Sequence, residues 1–213
     1  VCRLLESGAN VVSTRMEYQN PAALDPAIAA RLEAACQKGG TSLHASGSSP
    51  GFITEAMPIV MASIQRRLDS FNIMEFADCS SRNSPEMIFD MMGFGAPPGA
   101  ASEGQLAHKK LCFGPSLQLI APAFGMPIER FEATGAQGIA RNDVQIAAGV
   151  VPKGTVAATK TTLVGYHKDK PVFQMTTTWF VSEDVETSDG EEWEFRSPSG
   201  WHVVMMGDCP LDI

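Results

Sequence analysis

The sequence predicts an α/β unit followed by a mostly antiparallel α+β unit, and three observations carry that reading. Over residues 1–50, helical spacing, glycine stops and short β-branched runs alternate as helix, strand, helix, strand with short links. Such alternation argues for a parallel sheet flanked by helices. From Pro127 onward, β-branched residues and period-two alternation dominate instead, which argues for strands and hairpins. Between them, residues 40–52 (GTSLHASGSSPGF) run from an extended stretch through a turn of small residues into a helix start. The boundary of the α/β part falls near residues 56–70, giving a first unit of residues 1–58 and a second of 59–213. With 213 residues, 44% hydrophobic and 19% charged, the chain has enough material for one large or two modest cores.

Each element has its own signal. Residues 2–7 read as the end of a helix stopped at Gly8, and residues 10–14 (NVVST) as a short buried strand. Pro21 to Pro26 forms a turn. Ile28, Leu32, Ala35 and Cys36 then share a helical stripe over residues 27–37, ended by Gly39-Gly40, and residues 41–45 are the next strand. Phe52, Ile53, Ala56, Met57 and Val60 start a helix that the pattern extends over residues 54–68, with Pro58 near its first turn. Residues 71–80 (FNIMEFADCS) alternate as a strand. Ser84-Pro85 opens a helix through Met92, whose Met87, Met91 and Met92 read as core filling. Residues 93–99 (GFGAPPG) are a loop, and residues 106–124 a helix kinked or split at Gly114-Pro115 and Pro122. Strands follow at 144–151, 155–166, 172–181 and 201–206, the middle two joined as a hairpin by residues 167–170.

Composition narrows the function classes. The formal charge is -8, yet seven of the 24 acidic residues fall within residues 183–194, leaving 17 against 16 bases. The acidity is one solvated run, and nothing basic offers a nucleic-acid footprint. Five scattered cysteines show no paired ligand spacing, so neither a disulfide framework nor a metal site is expected, and reduced thiols in the cytoplasm are the default. No apolar run is long enough to span a membrane. The first residue is Val, a helix is already under way there, and the last residues carry no terminator, so a piece of a longer protein is expected.

Neither GxGxxG, GxxxxGK(S/T) nor HExxH occurs. The chemistry therefore rests on two polar clusters. In the first, Gly47, Ser48, Ser49 and Gly51 are small enough for a flat ring or a carboxylate to touch the backbone beside a helix N-terminus. His44 and Glu55 flank this turn with titratable groups. His44 is suited to proton transfer near neutral pH or to a plain hydrogen bond with backbone; Glu55 is suited to acid-base work or to complementing the helix dipole. In the second cluster, Asp78, Ser80, Ser81 and Arg82 close the 71–80 strand. Arg82 can clamp a carboxylate with two parallel hydrogen bonds, although an ordinary strand-to-helix connection uses the same residue types.

Taken together, Ser42-Leu43-His44, Ser46-Gly47, Pro50-Gly51, Ile53-Thr54-Glu55, Pro58, the strand end at residues 75–78 and Met92-Gly93-Phe94-Gly95 resemble a known family. It is that of the dihydrodipicolinate reductase-like proteins of actinobacteria, relatives of 2,4-diaminopentanoate dehydrogenase. The likeness is strong over about the first 100 residues and looser through Ala147-Ala148-Gly149 and Gly154-Thr155-Val156-Ala157. The resemblance implies an NAD- or NADP-dependent oxidoreductase with an N-terminal Rossmann domain and a C-terminal α+β domain that binds substrate and forms homo-oligomer contacts. Residues 1–58 would then be the C-terminal half of a Rossmann-like parallel sheet, with the phosphate-binding glycines preceding Val1. Nucleotide binding by these 213 residues alone is expected to be poor.

By the same resemblance, Ser13 and Thr14 line the nicotinamide side, while Ser48, Pro50 and Phe52 approach the cofactor and Ser49 and Gly51 the substrate. The implied reaction is hydride transfer at an imine or amine carbon of an amino-acid-like substrate, with His44 moving the proton and Arg82 holding the carboxylate. The sequence departs from dihydrodipicolinate reductases where they carry a His-His-x-x-x-Lys element: residues 78–82 are DCSSR. An amino-acid or diamino-acid dehydrogenase is thereby at least as well matched. A different class of function, a non-catalytic assembly module whose β half is an oligomer surface, fits the same composition.

Overall fold

The computed structural model describes residues 1–99 and 103–213. The first unit is small. Helix α1 (Cys2–Glu6) and strand β1 (Val11–Ser13) are followed by α2 (Pro26–Gly39) and β2 (Leu43–Ala45). β1 and β2 pair in parallel, Val11 opposite Leu43. Asp25 caps α2 through its side chain, Pro26 occupies the first helical position, and Gly40 ends the helix in the left-handed conformation. Leu5, Leu32 and Ala35 form the core between the two helices. Gly39 permits their approach, since a Cβ there would meet the Leu5 carbonyl oxygen at 1.9 Å. β1 is not the buried strand its composition predicts. Alternation turns Val11 toward the helices and leaves Val12 77% exposed on the other face.

A turn at Ser48–Ala56 leads into α3 (Met57–Ala62) and then β3 (Arg67–Asp78). The helix expected over 54–68 therefore stops at Ala62. Past Ala62 only Ile64 and Leu68 suggest a helix, and pairing with a distant strand claims residues 67–70 instead: Leu68 lies opposite Gly207. The expected helix at 84–92 contracts to the single wide turn Glu86–Met91. The expected kinked helix is α4 (Glu103–Ile120), which carries Pro115 inside it and passes into the tight turn Ala121–Phe124. The carbonyl that Pro115 leaves unbonded belongs to Leu111, an exposed residue, so water can satisfy it.

The remaining strands are β4 (Arg130–Ala140), β5 (Val144–Ile146), β6 (Gly149–Val151), β7 (Val156–His167), β8 (Lys170–Phe180), β9 (Val185–Thr187), β10 (Gly200–Asp208) and β11 (Leu211–Asp212). β4 has no counterpart among the expected strands because Gly135 and Gly138 break its alternation. The single strand expected at 144–151 is instead the hairpin β5–β6, turned at Ala147-Ala148. Among the described residues, seven strands form one sheet in the order β11-β10-β3-β8-β7-β4-β9. All neighbours are antiparallel except the central pair β3–β8. The acidic run surrounds the edge strand β9, with Val185 and Trp193 buried and the carboxylates outside.

One face of this sheet positions the site. Register aligns Phe71 with Phe173, Ile73 with Met175, Glu75 with Thr177 and Ala77 with Trp179. The first two pairs are apolar and fully buried beneath Phe113, Leu117 and Ile120 of α4. The next two are polar or amphipathic. The core therefore ends partway along the face, and an open cleft begins there.

β7 and β8 are joined by Lys168 and Asp169, both with positive φ (49° and 60°), the backbone of a two-residue type I′ turn. Lys168 is poorly suited to it, and Asp169 tolerates it less well than glycine would. Asp169 is 95% exposed and only 3.9 Å from Arg130, a contact of little worth. Asp169→Gly should raise stability by up to about 1 kcal/mol, measured by urea unfolding.

Candidate functional site

The site is built on the Ser48–Ala56 turn. Its first residues are extended, and Gly51 at φ 131° reverses the chain in a conformation open to glycine. A Cβ at Gly47 would sit 2.7 Å from the Pro50 carbonyl oxygen, so the turn closes only with glycine there. Four groups then fasten it to α4. The Gly51 N–H donates to Thr54 Oγ1 at 2.8 Å, Thr54 and Ser116 share a hydrogen bond at 2.6 Å, and Ser116 Oγ donates to Glu55 Oε1 at 2.7 Å. Because the amide can only donate and the carboxylate only accept, the chain runs in one direction, with the Thr54 hydroxyl donating to Ser116. Thr54 and Ser116 are fully buried. From the other side, Gln19 Nε2 donates to the Pro50 carbonyl at 2.9 Å and Asn20 Nδ2 to the Pro115 carbonyl at 3.1 Å.

A cleft of about 340 Å³ opens where this turn, α4, the Glu86–Met91 segment and the polar end of the sheet face meet. Ser49 and Pro50 line one side, and Met87, Met91 and Met92 another; the methionines expected as core filling are thus a wall. Trp179, Phe113, Thr159 and Thr161 complete much of the surface. Lys109 enters from α4. Its Nζ lies 3.2 Å from the centroid of the Trp179 ring and 3.2 Å from Thr177 Oγ1. Burial pushes its ammonium down to about 8, against the opposing pull of Glu75, Cys112 and Cys79. Glu75 is held in place by two indoles: Trp179 Nε1 donates to one oxygen at 2.8 Å and Trp201 Nε1 to the other at 2.9 Å. Cys79 and Cys112 also line the cleft, and burial pushes both thiols up.

The structure brings some of the expected site residues into this cleft and leaves others outside. Ser49, Pro50 and Arg82 line it. The Ser49 hydroxyl is buried with no hydrogen-bond partner among the described residues. The run Gly47-Ser48-Ser49-Pro50-Gly51 has the G-x-S-x-G spacing of a nucleophile elbow, but Ser49 is extended (φ -155°) and its hydroxyl meets no base. Arg82 Nη1 lies 2.7 Å from Met87 Sδ, and no carboxylate among the described residues lies within ion-pair distance of it. Gly51 is buried inside the turn.

Asp78 and Ser80 stand next to the cleft and are engaged with each other. Burial alone would raise the Asp78 carboxyl, but hydrogen bonds from Ser80 and Ser197 outweigh it and hold the group below the usual carboxylate range. His44 is exposed on β2 outside the cleft, near enough to Glu55 to favour its charge. Glu55 is committed to Ser116, and burial raises its carboxyl above the ordinary value in spite of that bond. Ser13 accepts from the Arg15 amide, Thr14 and Ser48 are exposed, and Phe52 is 59% exposed on the outer side of the turn.

Sequence reasoning missed Lys109, Glu75, Trp179 and Ser116. A signal for two of them existed: Lys109, Cys112, Phe113, Ser116, Leu117 and Ile120 form one helical stripe, in which an amine and a hydroxyl interrupt an apolar face.

No protein-family model matches the chain. It is similar to an amine dehydrogenase of Streptomyces virginiae, 26% identical over 141 residues, which are 63% of this chain and 38% of that protein. Among solved structures, the amine dehydrogenase of Mycobacterium smegmatis overlays all of this chain with a TM-score of 0.69 at 17% identity, and the match covers 60% of that chain. The chain therefore shares the fold of the Mycobacterium smegmatis protein over the matched region, and it spans well under two thirds of the curated relative's length.

Thr54 is the middle of the hydrogen-bond chain. Thr54→Val should cost about 1–3 kcal/mol in urea unfolding, because the Gly51 N–H loses its buried acceptor while the shape is kept.

Proposed function

We propose that this chain is the catalytic-side portion of an NAD- or NADP-dependent oxidoreductase acting at an amine or imine carbon. In this reading, residues 1–58 lie on the nucleotide side and residues 59–213 hold the substrate. The observation that carries the reading is the cleft beside the glycine-serine turn: a mostly apolar chamber of about 340 Å³ lined by Ser49, Pro50 and Lys109. Likeness in fold and sequence to amine dehydrogenases supports it.

The residues present suit a nicotinamide. Ser49 and Pro50 line the cleft and are the turn residues placed to meet it, Pro50 with a flat apolar ring. Ser13, Thr14, Ser48 and Phe52 belong to the nucleotide flank of this reading. A bound nicotinamide dinucleotide supplies the hydride donor or acceptor. The chain's own residues exclude water with the methionine wall, present Arg82 to a substrate carboxylate, and hold Gly51 and Ser49 in place through Thr54. His44, exposed on β2 beside Glu55, serves in this reading as the group that exchanges a proton with solvent. Within this class we favour a diamino-acid or amino-acid substrate over dihydrodipicolinate, because residues 78–82 offer Arg82 and no His-His-x-x-x-Lys element.

The test is nicotinamide-dependent oxidation of amines against amino acids, followed by nicotinamide absorbance in the protein that carries this chain. Arg82→Met should raise KM for carboxylate-bearing substrates about 10- to 100-fold, the value of a lost charged hydrogen bond, and leave simple amines unaffected. Equal effects on both would remove Arg82 from recognition. His44→Ala should lower kcat about 100- to 10,000-fold with nucleotide affinity unchanged; undiminished turnover would exclude it from proton transfer.

A further inference from the structure

We infer that Lys109 is a nucleophile that condenses with the carbonyl form of the substrate, so that the imine carbon is first generated on the protein. The inference rests on the reading above and names a step within it.

Four observations converge on Lys109. Its amine lies at the base of a cleft large enough for a small carbonyl compound, and the helix that carries it is fixed to the turn through Ser116. No carboxylate among the described residues lies within ion-pair distance, and the amine donates a hydrogen bond to a neutral hydroxyl, Thr177 Oγ1. The Trp179 face and the Phe113 ring, at 3.2 Å and 5.6 Å from Nζ, keep water from solvating an ammonium while offering π density to a cation formed in place. Glu75, whose two oxygens are both held by indole N–H groups, is near enough to stabilise positive charge yet is not free to swing into a tight pair with the amine. A lysine desolvated in this way has a substantial neutral fraction near pH 8, which an exposed lysine lacks. Cys79 on the strand side and Cys112 on the same helix are the other titratable groups facing it.

The step balances without any redox partner. The Nζ lone pair attacks the carbonyl carbon, a C–N bond forms, and the π pair moves to oxygen. With one proton taken up from solvent and one transferred from nitrogen, the oxygen leaves as water and a protonated imine remains on Lys109. Ammonia, the amine donor of a reductive amination, then attacks the same carbon; the C–N bond to Lys109 breaks, and the free iminium and neutral lysine are released.

Borohydride trapping tests this without cofactor or turnover. The intact protein is incubated with cyclohexanone near pH 8, reduced with sodium borohydride and peptide-mapped by mass spectrometry. The secondary-amine adduct should concentrate on Lys109, at least about 10-fold over its neighbour Lys110, which is exposed to water and outside the cleft. Lys109→Arg should abolish the adduct, with circular dichroism reporting that the fold is kept. An adduct spread evenly over surface lysines, or absent from Lys109, overturns the inference. Trapping at Lys109 in a protein that does not oxidise any amine would sustain the nucleophile and defeat the dehydrogenase reading, so the two fail separately.

Discussion

The hydrogen-bond chain from the Gly51 amide through Thr54 and Ser116 to Glu55 is the constraint on which the rest of the site depends. Each member is buried or half-buried, and each is satisfied only by the next. An amide at one end and a carboxylate at the other give the hydroxyls one consistent orientation, so α4 cannot slide along the turn without breaking several bonds in low dielectric at once. Gln19 and Asn20 add a second tie from the segment after β1, to the turn and to α4 respectively. Three stretches far apart in sequence thus share one rigid corner, and Lys109, two turns before Ser116 on the same helix, inherits its position from that corner.

The cleft follows from a change of residue type along a single sheet face. Where Phe71, Ile73, Phe173 and Met175 line up, α4 lies down on them and water is excluded. Where Glu75, Thr177 and Trp179 follow in register, the helix presents Lys109 in place of a leucine or phenylalanine, and close packing gives way to a chamber. The charged groups there are not paired in the ordinary way: Glu75 is occupied by two tryptophans and Lys109 by a tryptophan face and a threonine. Buried charges left without a direct counter-charge are costly for stability, and sites of chemistry are where that cost is commonly carried.

Local signals made much of this legible in advance. The Asp25-Pro26 start and Gly40 end of α2, the hairpin of β7 and β8, and the small-residue turn at 47–51 are all written in adjacent residues. What escaped was decided at a distance. Residues 67–68 read as the end of a helix until β10 is there to pair with them, β4 hides its alternation behind two glycines, and residues 144–151 contain a turn of alanines that carries no turn signature. The site shows the same division. Ser49 and Arg82 were visible as polar clusters; Glu75 and Trp179 become neighbours only through the pairing of β3 with β8, and Lys109 stands out only when the helical stripe around it is known to face inward.

That pairing has a further consequence. β3 lies between β8 and β10, and both of those neighbours are encoded far downstream of it. As the chain leaves the ribosome, the strand that will sit inside the sheet therefore waits with two open edges until β8 emerges, and its second partner β10 comes later still. Long-range closure of this kind slows folding and leaves an apolar edge available to other chains. The same arrangement that sets Glu75 beside Trp179 thus makes the newborn protein a natural client for chaperones.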